Sequence, residues 1–547
     1  MQGDLIFTST LHQLKDTILD LSLHATPCRY RFMDCRAFLE DKKLNIYEFH
    51  EAPAGCSPPK DPNAPFRPPN IPYVAISYTW RGNETNTDDP SSPLYWEDVH
   101  GTFQVKGAED GDPISLDVLE HVCVAATRQQ SQYLWFDRLC ISQMSKADKA
   151  WQITRMYLIY ASCAMCCILP GGIRRLVRLE EETSWIDRGW TLQEAVAPQK
   201  VVVLFRWDHY MEGRSVHHEG TMSSFFPQSV VDGQSAYEEL DPSLQKSVNP
   251  TRCSLFIDNK DIPISIKLFG ANGISACALL DSLHSSDGTE ARDQSIWRSA
   301  LLRTSSCPVD MVFSIMNMFG VTLDPGLFAK DDRIGATIAL AQEILRKGGR
   351  ASWIGAGYTL EPSREVSTFP RFPESSVAGY AYVVVSDGTQ RRVAEEVSSS
   401  MLIGEFLRGI PDGSMDEDGY LSVTAHATRI VRWEKNASTR APIRAADQSA
   451  WQLASDDSLN MSPTEPVTYI VYIGERVQSS SSLYPRYIIA EPLTAMLVQQ
   501  HSPNKFHRIA FAHLMASWKK YIISLPKITL AIGGPNPPSR DHRHEDL

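Results

Sequence analysis

The sequence lacks any long hydrophobic run. No stretch approaches the roughly 20 consecutive apolar residues that a membrane-spanning helix needs. The segment Met1-Gln-Gly-Asp4 also lacks the basic start and the apolar core of a secretory signal peptide. These two absences predict a cytoplasmic protein with no membrane span.

Basic residues are scarce relative to acidic ones. The 53 lysines and arginines face 65 aspartates and glutamates, which gives a formal net charge of −12 at pH 7. A protein that binds nucleic acid by neutralising phosphates needs clustered Lys and Arg. The charge balance therefore argues against a generic nucleic-acid-binding protein, and no nucleic-acid partner is expected.

Familiar metal and nucleotide motifs are also missing. The 11 cysteines are odd in number and irregularly spaced, which is typical of free thiols in a reducing compartment. Cys163 and Cys166 form a Cys-x-x-Cys pair inside an apolar run, without a histidine cluster, so we expect buried strand thiols there. No Walker or Gly-x-Gly-x-x-Gly pattern is present, and Gly171-Gly172 alone is weak evidence for phosphate binding. No metal site is predicted.

The chain does contain enough apolar residues for more than one core. Hydrophobic residues make up 43% of its 547 residues, and 12 tryptophans are among them. Within the first 72 residues, 30–33 and 44–49 read as two strands of a hairpin with charged residues 40–43 between them. Residue patterns predict five segments: an N-terminal extension with this hairpin (1–72), an α/β domain (73–210), a mostly helical region (211–375), a β-rich region (376–533) and a disordered tail (534–547).

Strand and helix patterns alternate from Tyr73 onward. The sequence predicts strands at 73–78, 133–137, 164–169 and 201–205, and helices at 114–128, 148–161 and 190–194. Such alternation predicts an α/β fold with a mostly parallel sheet and right-handed crossovers. Ligands of these sheets bind beyond the carboxyl ends of the strands, where Ser77 and Asp137 are expected.

A tryptophan-rich segment before the last of these strands ends on a glutamate. It reads Trp185-Ile-Asp-Arg-Gly-Trp190-Thr-Leu-Gln-Glu194. Trp190 and Glu194 are four residues apart and share one face of a helix. A carboxylate beside an indole is partly desolvated, which suits it to chemistry. Glu194 is therefore the candidate catalytic residue.

Three blocks stand in order along the chain: Tyr73-Val-Ala-Ile-Ser-Tyr-Thr-Trp80, Leu134-Trp-Phe-Asp-Arg-Leu-Cys-Ile-Ser-Gln143 and Arg188-Gly-Trp-Thr-Leu-Gln-Glu194. Together they resemble the motifs of the fungal heterokaryon incompatibility (HET) domain. Three positions depart from the family pattern. The glycine expected after the first block comes one residue late, at Gly82, Ser142 replaces an asparagine, and Asp148 stands where a glutamate is usual.

The HET domain is in turn similar to the TIR domain, a flavodoxin-like signalling module. This resemblance implies a TIR-like, mostly parallel sheet core. In NAD-cleaving TIR domains a Trp-Cys-x-x-Glu helix carries the catalytic glutamate. Trp190-Thr-Leu-Gln-Glu194 has that spacing, with Thr191 in place of the cysteine. By this resemblance Glu194 matches the catalytic carboxylate.

The resemblance implies NAD as a substrate, with no cofactor required. Cleavage of the nicotinamide–ribose bond builds positive charge on the sugar, and a nearby carboxylate stabilises that charge. A guanidinium can pair with pyrophosphate in a bidentate manner, and an indole can stack on a base. The candidate NAD-binding residues are Ser77, Trp80, Asp137, Arg188 and Trp190.

Each candidate also has a structural interpretation. Glu194 can satisfy loop amides or pair with Arg188, and Asp137 can cap the turn after its strand. Cys140 has no histidine close to it in the sequence, so packing is its expected role.

Two functions therefore stay open. The first is a protein of fungal self/non-self recognition that promotes a cell-death or immunity-like response through a TIR-like module. The second is an NAD glycohydrolase that uses Glu194, and one protein can do both. The expected partners are other HET or incompatibility proteins and, by self-association, further copies of this chain.

Overall fold

The structure is a computed structural model. It describes residues 3–50, 68–86, 92, 94–209, 227–248, 253–257, 260–270, 273–284, 288–357, 360–375, 379–385, 388–398, 404–433, 442–454, 466–479 and 489–534. Apart from its first residue, the tail predicted for 534–547 lies outside the described residues.

Two compact units make up the chain. The first comprises residues 1–280 and 324–327, and the second comprises residues 281–323 and 328–547. The five segments drawn from the sequence stay a prediction. Among the described residues, no helix combines the length and the apolar character needed to cross a membrane.

The first unit is a mixed α/β structure. Its strands are β1 (Asp4–Thr10), β2 (Thr17–Leu19), β3 (Tyr30–Asp34), β4 (Lys43–Phe49), β5 (Tyr73–Tyr78), β6 (Thr102–Val105), β7 (Ile114–Ser115), β8 (Tyr133–Trp135), β9 (Met165–Leu169), β10 (Val201–Arg206), β11 (Gln228–Val231), β12 (Ser235–Glu239), β13 (Cys253–Ile257) and β14 (Lys260–Ile264). Its helices are α1 (Leu11–Leu14), α2 (Cys35–Glu40), α3 (Leu116–Arg128), α4 (Asp137–Cys140), α5 (Lys146–Ser162), α6 (Thr191–Val196), α7 (Leu240–Val248) and α8 (Ile274–His284), the last of which continues into the second unit.

The main sheet of this unit has nine strands in the order β1-β4-β3-β8-β5-β9-β10-β12-β11. Its four central strands, β8, β5, β9 and β10, are parallel, and their spatial order is 2-1-3-4 when they are counted along the chain. The outer pairings are antiparallel. The α/β prediction is therefore confirmed, whereas the predicted predominance of parallel strands holds for the centre and not for the whole sheet.

Burial explains why the central strands form. Every residue of β5 and β9 is buried, as expected for parallel strands with both faces covered. The two helices that precede β8 and β9 along the chain, α3 and α5, begin at serine caps. The Ser115 side chain accepts a hydrogen bond from Val118 N, and the Ser145 side chain accepts one from Asp148 N. The predicted burial of Cys163 and Cys166 is confirmed, although only Cys166 lies in a strand, because Cys163 ends α5 just before β9. Burial raises the pKa of Cys163 to about 12.

The predicted hairpin is correct in its pairing and wrong in its connection. Strands β3 and β4 pair antiparallel, with Tyr30 opposite Phe49. Helix α2, rather than a short charged turn, joins them. Asp34 starts this helix, because its carboxylate accepts hydrogen bonds from Arg36 N and Ala37 N. An aspartate at a helix N-cap can be recognised in a sequence, and this signal was missed when the hairpin was predicted.

The second unit combines helices with a large sheet. Its helices are α9 (Thr289–Leu301), α10 (Asp310–Met316), α11 (Arg333–Arg346), α12 (Val393–Ser398) and α13 (Lys519–Ser524). Its strands are β15 (Glu374–Ser375), β16 (Ala381–Val384), β17 (Gln390–Arg392), β18 (Glu405–Arg408), β19 (Gly413–Met415), β20 (Leu421–Arg432), β21 (Ile443–Arg444), β22 (Ala450–Leu453), β23 (Thr468–Gln478), β24 (Leu493–Ser502), β25 (Lys505–Leu514) and β26 (Lys527–Ile532).

The large sheet follows the order β18-β23-β24-β25-β26-β20-β22-β21, with β19 added on β20. A further pairing joins β20 to β23, so strands β23, β24, β25, β26 and β20 form a closed cycle of pairings. Aliphatic residues such as Leu497 and Ile470 build the core of this sheet, and Trp518 packs against it. The strand-rich character expected for this region is present.

Candidate functional site

The three sequence blocks meet at the carboxyl edge of the central parallel strands. Ser77 lies near the end of β5, and Asp137 begins α4 directly after β8. Glu194 lies on α6, the helix that precedes β10. All three side chains belong to the first unit. This is the edge at which α/β sheets bind their ligands.

Ser77 joins Glu194 to a tryptophan. The Ser77 hydroxyl donates a hydrogen bond to Glu194 Oε2 at 2.5 Å, and Trp185 Nε1 donates to Ser77 Oγ at 2.8 Å. Because the indole N–H can only donate, it occupies an acceptor position of the hydroxyl and directs the serine proton to the carboxylate. Ser77 and Trp185 are fully buried, and Glu194 is 8% exposed.

The segment that carries Glu194 is held by its own backbone and by Thr191. Glu194 N bonds to Trp190 O at 3.4 Å, so the predicted four-residue spacing on a helix is confirmed. The Thr191 hydroxyl lies 2.8 Å from both Trp185 O and Arg188 O, which fixes the turn before the helix. Arg188 and Trp190 are half-buried. Their roles in ligand binding stay predictions.

A buried tyrosine lies close to the glutamate. Tyr160, on α5, donates from its hydroxyl to Ile76 O at 2.9 Å. Burial raises the pKa of Tyr160 well above its usual range, and the nearby charges of Glu194 and Asp137 raise it further. The phenol therefore stays protonated, and both carboxylates lie within electrostatic reach of it.

Asp137 is the acceptor for three donors. Tyr78 Oη donates to Asp137 Oδ1 at 2.6 Å, and Trp80 Nε1 donates to Oδ2 at 2.6 Å. Arg138 N also donates to Oδ1 at 2.7 Å, but Asp137 does not cap the helix, because it is the first residue of α4 and Phe136 holds the N-cap position. Desolvation, with the adjacent Asp137 charge, raises the pKa of Tyr78 well above its usual range. Asp137 thus fixes the orientation of Trp80 at the edge of the sheet.

Arg138 supports the other side of Trp80. Its guanidinium donates to Asp112 O at 2.5 Å and to Ala108 O at 2.9 Å. The Arg138 Cζ atom lies 5.6 Å from the centroid of the Trp80 ring, within the range of a cation–π contact. The sequence reading did not identify this arginine, although it follows the predicted strand-end aspartate directly.

A buried ion cluster lies beside this edge. Arg31, on β3, pairs with Asp148 through two hydrogen bonds of 3.0 Å and with Glu48 at 3.1 Å. Asp148 also accepts from Cys28 N at 2.6 Å and from Ser142 N at 2.7 Å. The Arg31 and Asp148 side chains are completely buried.

This cluster gives a role to one departure from the family pattern, because Asp148 supplies the carboxylate. Ser142 contributes only its backbone N–H, which does not depend on the serine side chain. Sequence reasoning missed the cluster, and the available signal was an arginine placed inside the apolar strand β3. Truncating one partner would leave a buried charge unpaired, so the cluster ties the first 50 residues to the second block.

The glycines near the edge are required by close backbone approach. A Cβ atom on Gly82 would lie 1.9 Å from Gly171 O, and one on Gly172 would lie 2.8 Å from Gly82 Cα. Gly172 also has a φ of +89°, which L side chains rarely adopt. Steric need therefore accounts for Gly171-Gly172 without a phosphate. It also explains why the displaced glycine stands at position 82.

Two further groups bear on possible chemistry. Burial raises the pKa of Cys140 to about 12, which matches the packing role expected for it. Ligand atoms of His100, Asp117 and Glu120 lie within 4.8 Å of one another. His100 Nδ1 lies 2.7 Å from Asp117, and Lys42 pairs with Glu120 at 3.0 Å, so these side chains already have partners within the protein.

Comparisons with known proteins concern the region that builds this edge. The sequence profile of the heterokaryon incompatibility protein (HET) family matches residues 73–175. Vegetative incompatibility protein HET-E-1 of Podospora anserina is 24% identical over 143 residues, which cover 24% of this chain and 9% of that protein. The chain thus matches less than a tenth of this relative's length. No solved structure matches the chain significantly.

The profile match contains two of the three blocks, those of Ser77 and Asp137. The block of Glu194 follows the matched residues, and the structure joins it to them through the bond between Ser77 and Glu194. The chain is therefore a HET domain-containing protein, with the HET domain at residues 73–175.

Proposed function

We propose that this protein acts in heterokaryon incompatibility, the fungal discrimination of self from non-self, and promotes cell death through a TIR-like signalling module. The HET domain and the likeness to a vegetative incompatibility protein support the recognition role. The 2-1-3-4 order of the four parallel strands supports the TIR-like module, because flavodoxin-like sheets have this order.

One observation carries the proposal furthest. Side chains from all three blocks converge on one edge of the sheet, where Ser77 contacts Glu194 and the neighbouring Tyr78 contacts Asp137. These contacts join residues that are 117 and 59 positions apart in the sequence. The blocks therefore form one structural unit at a ligand-binding edge, rather than three separate packing motifs.

The contact between Ser77 and Glu194 also favours a second function, cleavage of NAD. In this reaction the bond between nicotinamide and ribose breaks, water adds to the sugar carbon with loss of a proton, and nicotinamide leaves. The Glu194 carboxylate would stabilise the positive charge that develops on the ribose. Ser77 would hold the carboxylate in place, and Trp185 would fix the orientation of Ser77.

The remaining candidates would bind the rest of the molecule. Arg188 suits the pyrophosphate, and Trp80 or Trp190 suits a base or the nicotinamide ring. Asp137 would act by orienting Trp80, since its carboxylate already accepts three hydrogen bonds. Glu194 is only 8% exposed, so we expect turnover to be limited by how readily the substrate reaches it.

The two functions separate in one set of measurements. Purified protein is incubated with NAD at a range of protein concentrations, and the release of nicotinamide is followed for wild type, Glu194→Gln and Glu180→Gln. Glu180 is an exposed glutamate shortly before the Trp185 segment, so its variant is the matched control. NAD cleavage predicts release by wild type and the control and loss of at least a hundredfold in Glu194→Gln.

Induced expression in fungal cells tests the signalling role with the same variants. Cell death that persists in Glu194→Gln while nicotinamide release is lost would remove NAD cleavage as the cause and retain the signalling module. Absence of release from wild type at every concentration would reject the enzyme. Survival of cells that express soluble wild-type protein together with an incompatible partner would reject the incompatibility role.

A further inference from the structure

Charge is distributed unevenly along the second unit. Residues 492–540 contain no aspartate or glutamate, although the whole chain has a formal net charge of −12. The same stretch contains six lysines and arginines. Its described part builds strands β24, β25 and β26 and helix α13. An excess of basic residues in one part of an acidic chain suggests contact with an anionic surface or polymer.

Two lysines near α13 are free to meet an external anion. Lys519 and Lys520 lie on this helix, and Lys527 begins β26 shortly after it. Lys519 is balanced by Glu475 at 2.5 Å. Lys520 and Lys527 are exposed, and within the described ranges neither forms an ion pair with a carboxylate. Strand β20, which pairs with β26, contains no acidic residue either.

Large apolar side chains are exposed beside these lysines. Among the described residues nine such side chains are strongly exposed, and three of them lie within nine positions: Met515 at 56%, Tyr521 at 40% and Ile523 at 61%. Single exposed apolar side chains are common on protein surfaces, whereas a local group of them marks an interaction site. We call residues 515–527, which hold both the lysines and these side chains, the α13 segment.

The α13 segment is anchored on the large sheet. Ile522 is buried in the core of that sheet, and Trp518 packs against the same core. The rings of Trp518 and Tyr521 meet edge-on, with centroids 5.8 Å apart. His426 Nδ1 lies 2.7 Å from the carbonyl oxygen of Leu525, which ties the end of the segment to β20. The exposed side chains are therefore presented by a backbone that is already folded.

Nucleic acid and lipid are both anionic, and the apolar side chains distinguish between them. Proteins that bind single-stranded nucleic acid stack the bases on aromatic side chains along a basic groove. The two most exposed apolar side chains of the α13 segment, Ile523 and Met515, have no ring. Proteins that bind a membrane surface combine lysines with aliphatic and aromatic side chains that enter the boundary between headgroups and acyl chains. The composition of the segment therefore favours lipid.

We propose that the α13 segment docks the protein on an anionic membrane surface. Lys520 and Lys527 contact the negatively charged headgroups. Met515, Tyr521 and Ile523 enter the interfacial layer, where a tyrosine is well suited because its ring is apolar and its hydroxyl is polar. The chain lies on the membrane through this segment and does not cross it. The proposal is independent of NAD cleavage, because it involves only the second unit.

Co-sedimentation of the full-length protein with lipid vesicles tests the proposal. One set of vesicles consists of phosphatidylcholine, and in the other set about a third of the lipid is phosphatidylserine. We expect wild type to bind the anionic vesicles at least tenfold more tightly than the neutral ones. Binding should weaken as the salt concentration rises, because salt screens the attraction between exposed charges.

Two double variants test the role of the lysines. Lys520→Glu with Lys527→Glu should lower the affinity for anionic vesicles at least tenfold, since one lysine near such a surface contributes about fivefold. Lys146→Glu with Lys330→Glu makes the same change in net charge at exposed lysines outside the segment. This control should bind as wild type does.

Ile523→Gln tests the apolar contribution and should weaken binding severalfold. Leu327→Gln changes a residue that is 76% exposed outside the segment and should leave binding unchanged. Equal binding of wild type to both kinds of vesicle would overturn the proposal. So would equal losses in the two lysine double variants, or unchanged binding of Ile523→Gln. Binding of single-stranded RNA without binding of anionic vesicles would also overturn it and assign the surface to nucleic acid.

Discussion

Among the described residues, each unit buries an arginine inside a strand of its large sheet, and the hydrogen-bonding needs of the two guanidinium groups are met in different ways. Arg31, on β3, faces the carboxylates of Asp148 and Glu48. Arg508, on β25, donates instead to the backbone carbonyls of Ser367 at 2.7 Å and Phe369 at 3.0 Å. Burial lowers the pKa of Arg508 to about 9, and it stays charged at pH 7.

The difference shows what each buried charge is for. The Arg31 cluster joins segments that are 117 residues apart, and it fits only when both carboxylates are in place. Buried ion pairs of this kind add little net stability but penalise wrong pairings. Arg508 holds a loop through the backbone carbonyls of that loop, so this contact requires no buried carboxylate. The first arrangement specifies a fold, and the second positions a loop.

The largest expected effect comes from breaking the first arrangement. Arg31→Met leaves Asp148 and Glu48 buried without a counter-charge, so we expect the free energy of unfolding to fall by about 3–5 kcal/mol. Urea denaturation followed by tryptophan fluorescence measures this change. Arg36→Met, which breaks the exposed pair of Arg36 with Glu40, is the control and should unfold as wild type does. Equal effects in the two variants would contradict the role of the cluster.

Arg508→Met tests the other half of the comparison. This substitution leaves two carbonyl groups without their donor, but it leaves no carboxylate unpaired. We therefore expect a smaller loss of about 2–3 kcal/mol in the free energy of unfolding. Hydrogen exchange should locate the change in β25 and residues 367–369. A loss greater than that of Arg31→Met would reverse the comparison.

Ser77→Ala tests whether the stability of the sheet edge near Glu194 depends on the Ser77 hydroxyl. The variant leaves the Trp185 N–H buried without an acceptor and removes a donor to Glu194. We expect the free energy of unfolding to fall by about 1–3 kcal/mol. Thr424→Val removes an exposed strand hydroxyl of the second sheet and should cost less than about 0.5 kcal/mol. A Ser77→Ala loss as small as that of the control would show that the Trp185–Ser77–Glu194 chain is not structurally required.

The smallest expected effect concerns acid stability of the second sheet. Burial, together with the nearby charge of Arg476, lowers the pKa of His513 from 6.5 to about 4. A folded pKa below the unfolded value means that stability is present above about pH 6.5 and is lost as the pH falls toward 4. The shift corresponds to at most about 3 kcal/mol, and we expect about 1 kcal/mol because the ring is partly exposed.

His513→Gln should reduce the stability difference between pH 7 and pH 4.5 relative to wild type. His12→Gln changes an exposed histidine and should leave that difference unchanged. Chemical denaturation at the two pH values provides the comparison. An unaltered pH dependence in His513→Gln would show that the neutral ring is not linked to folding.

Local patterns predicted the central strands well. Residues 73–78 were expected as a strand and form β5, because an apolar run between turn residues has few alternatives. The position of Ser77 near the end of β5 followed from the same reasoning, whereas the strand predicted at 133–137 was too long, because β8 ends at Trp135 and Asp137 begins α4. Strand β24 is harder to recognise, since Leu, Ala and Met are also good helix formers. Its identity comes from pairing with β23 and β25.

Long-range partners could not be read from the sequence. The sequence indicates that Glu194 has an aromatic neighbour, but only the fold shows that Trp185 acts on it through Ser77. In the same way, an arginine in an apolar strand signals a buried partner without identifying Asp148 as that partner. Side chains more than a hundred residues apart meet only after the sheet has been assembled.

The extension of the first sheet on both sides of the HET domain limits how the domain can be studied. A fragment cut at residues 73 and 175 keeps β5, β8 and β9 but loses β3 from one side and β10 from the other. Both outer strands of the fragment would then present unpaired backbone groups to other molecules, which promotes aggregation. Work on an isolated domain should therefore begin near residue 4 and continue past β12, so that both borders of the sheet stay covered.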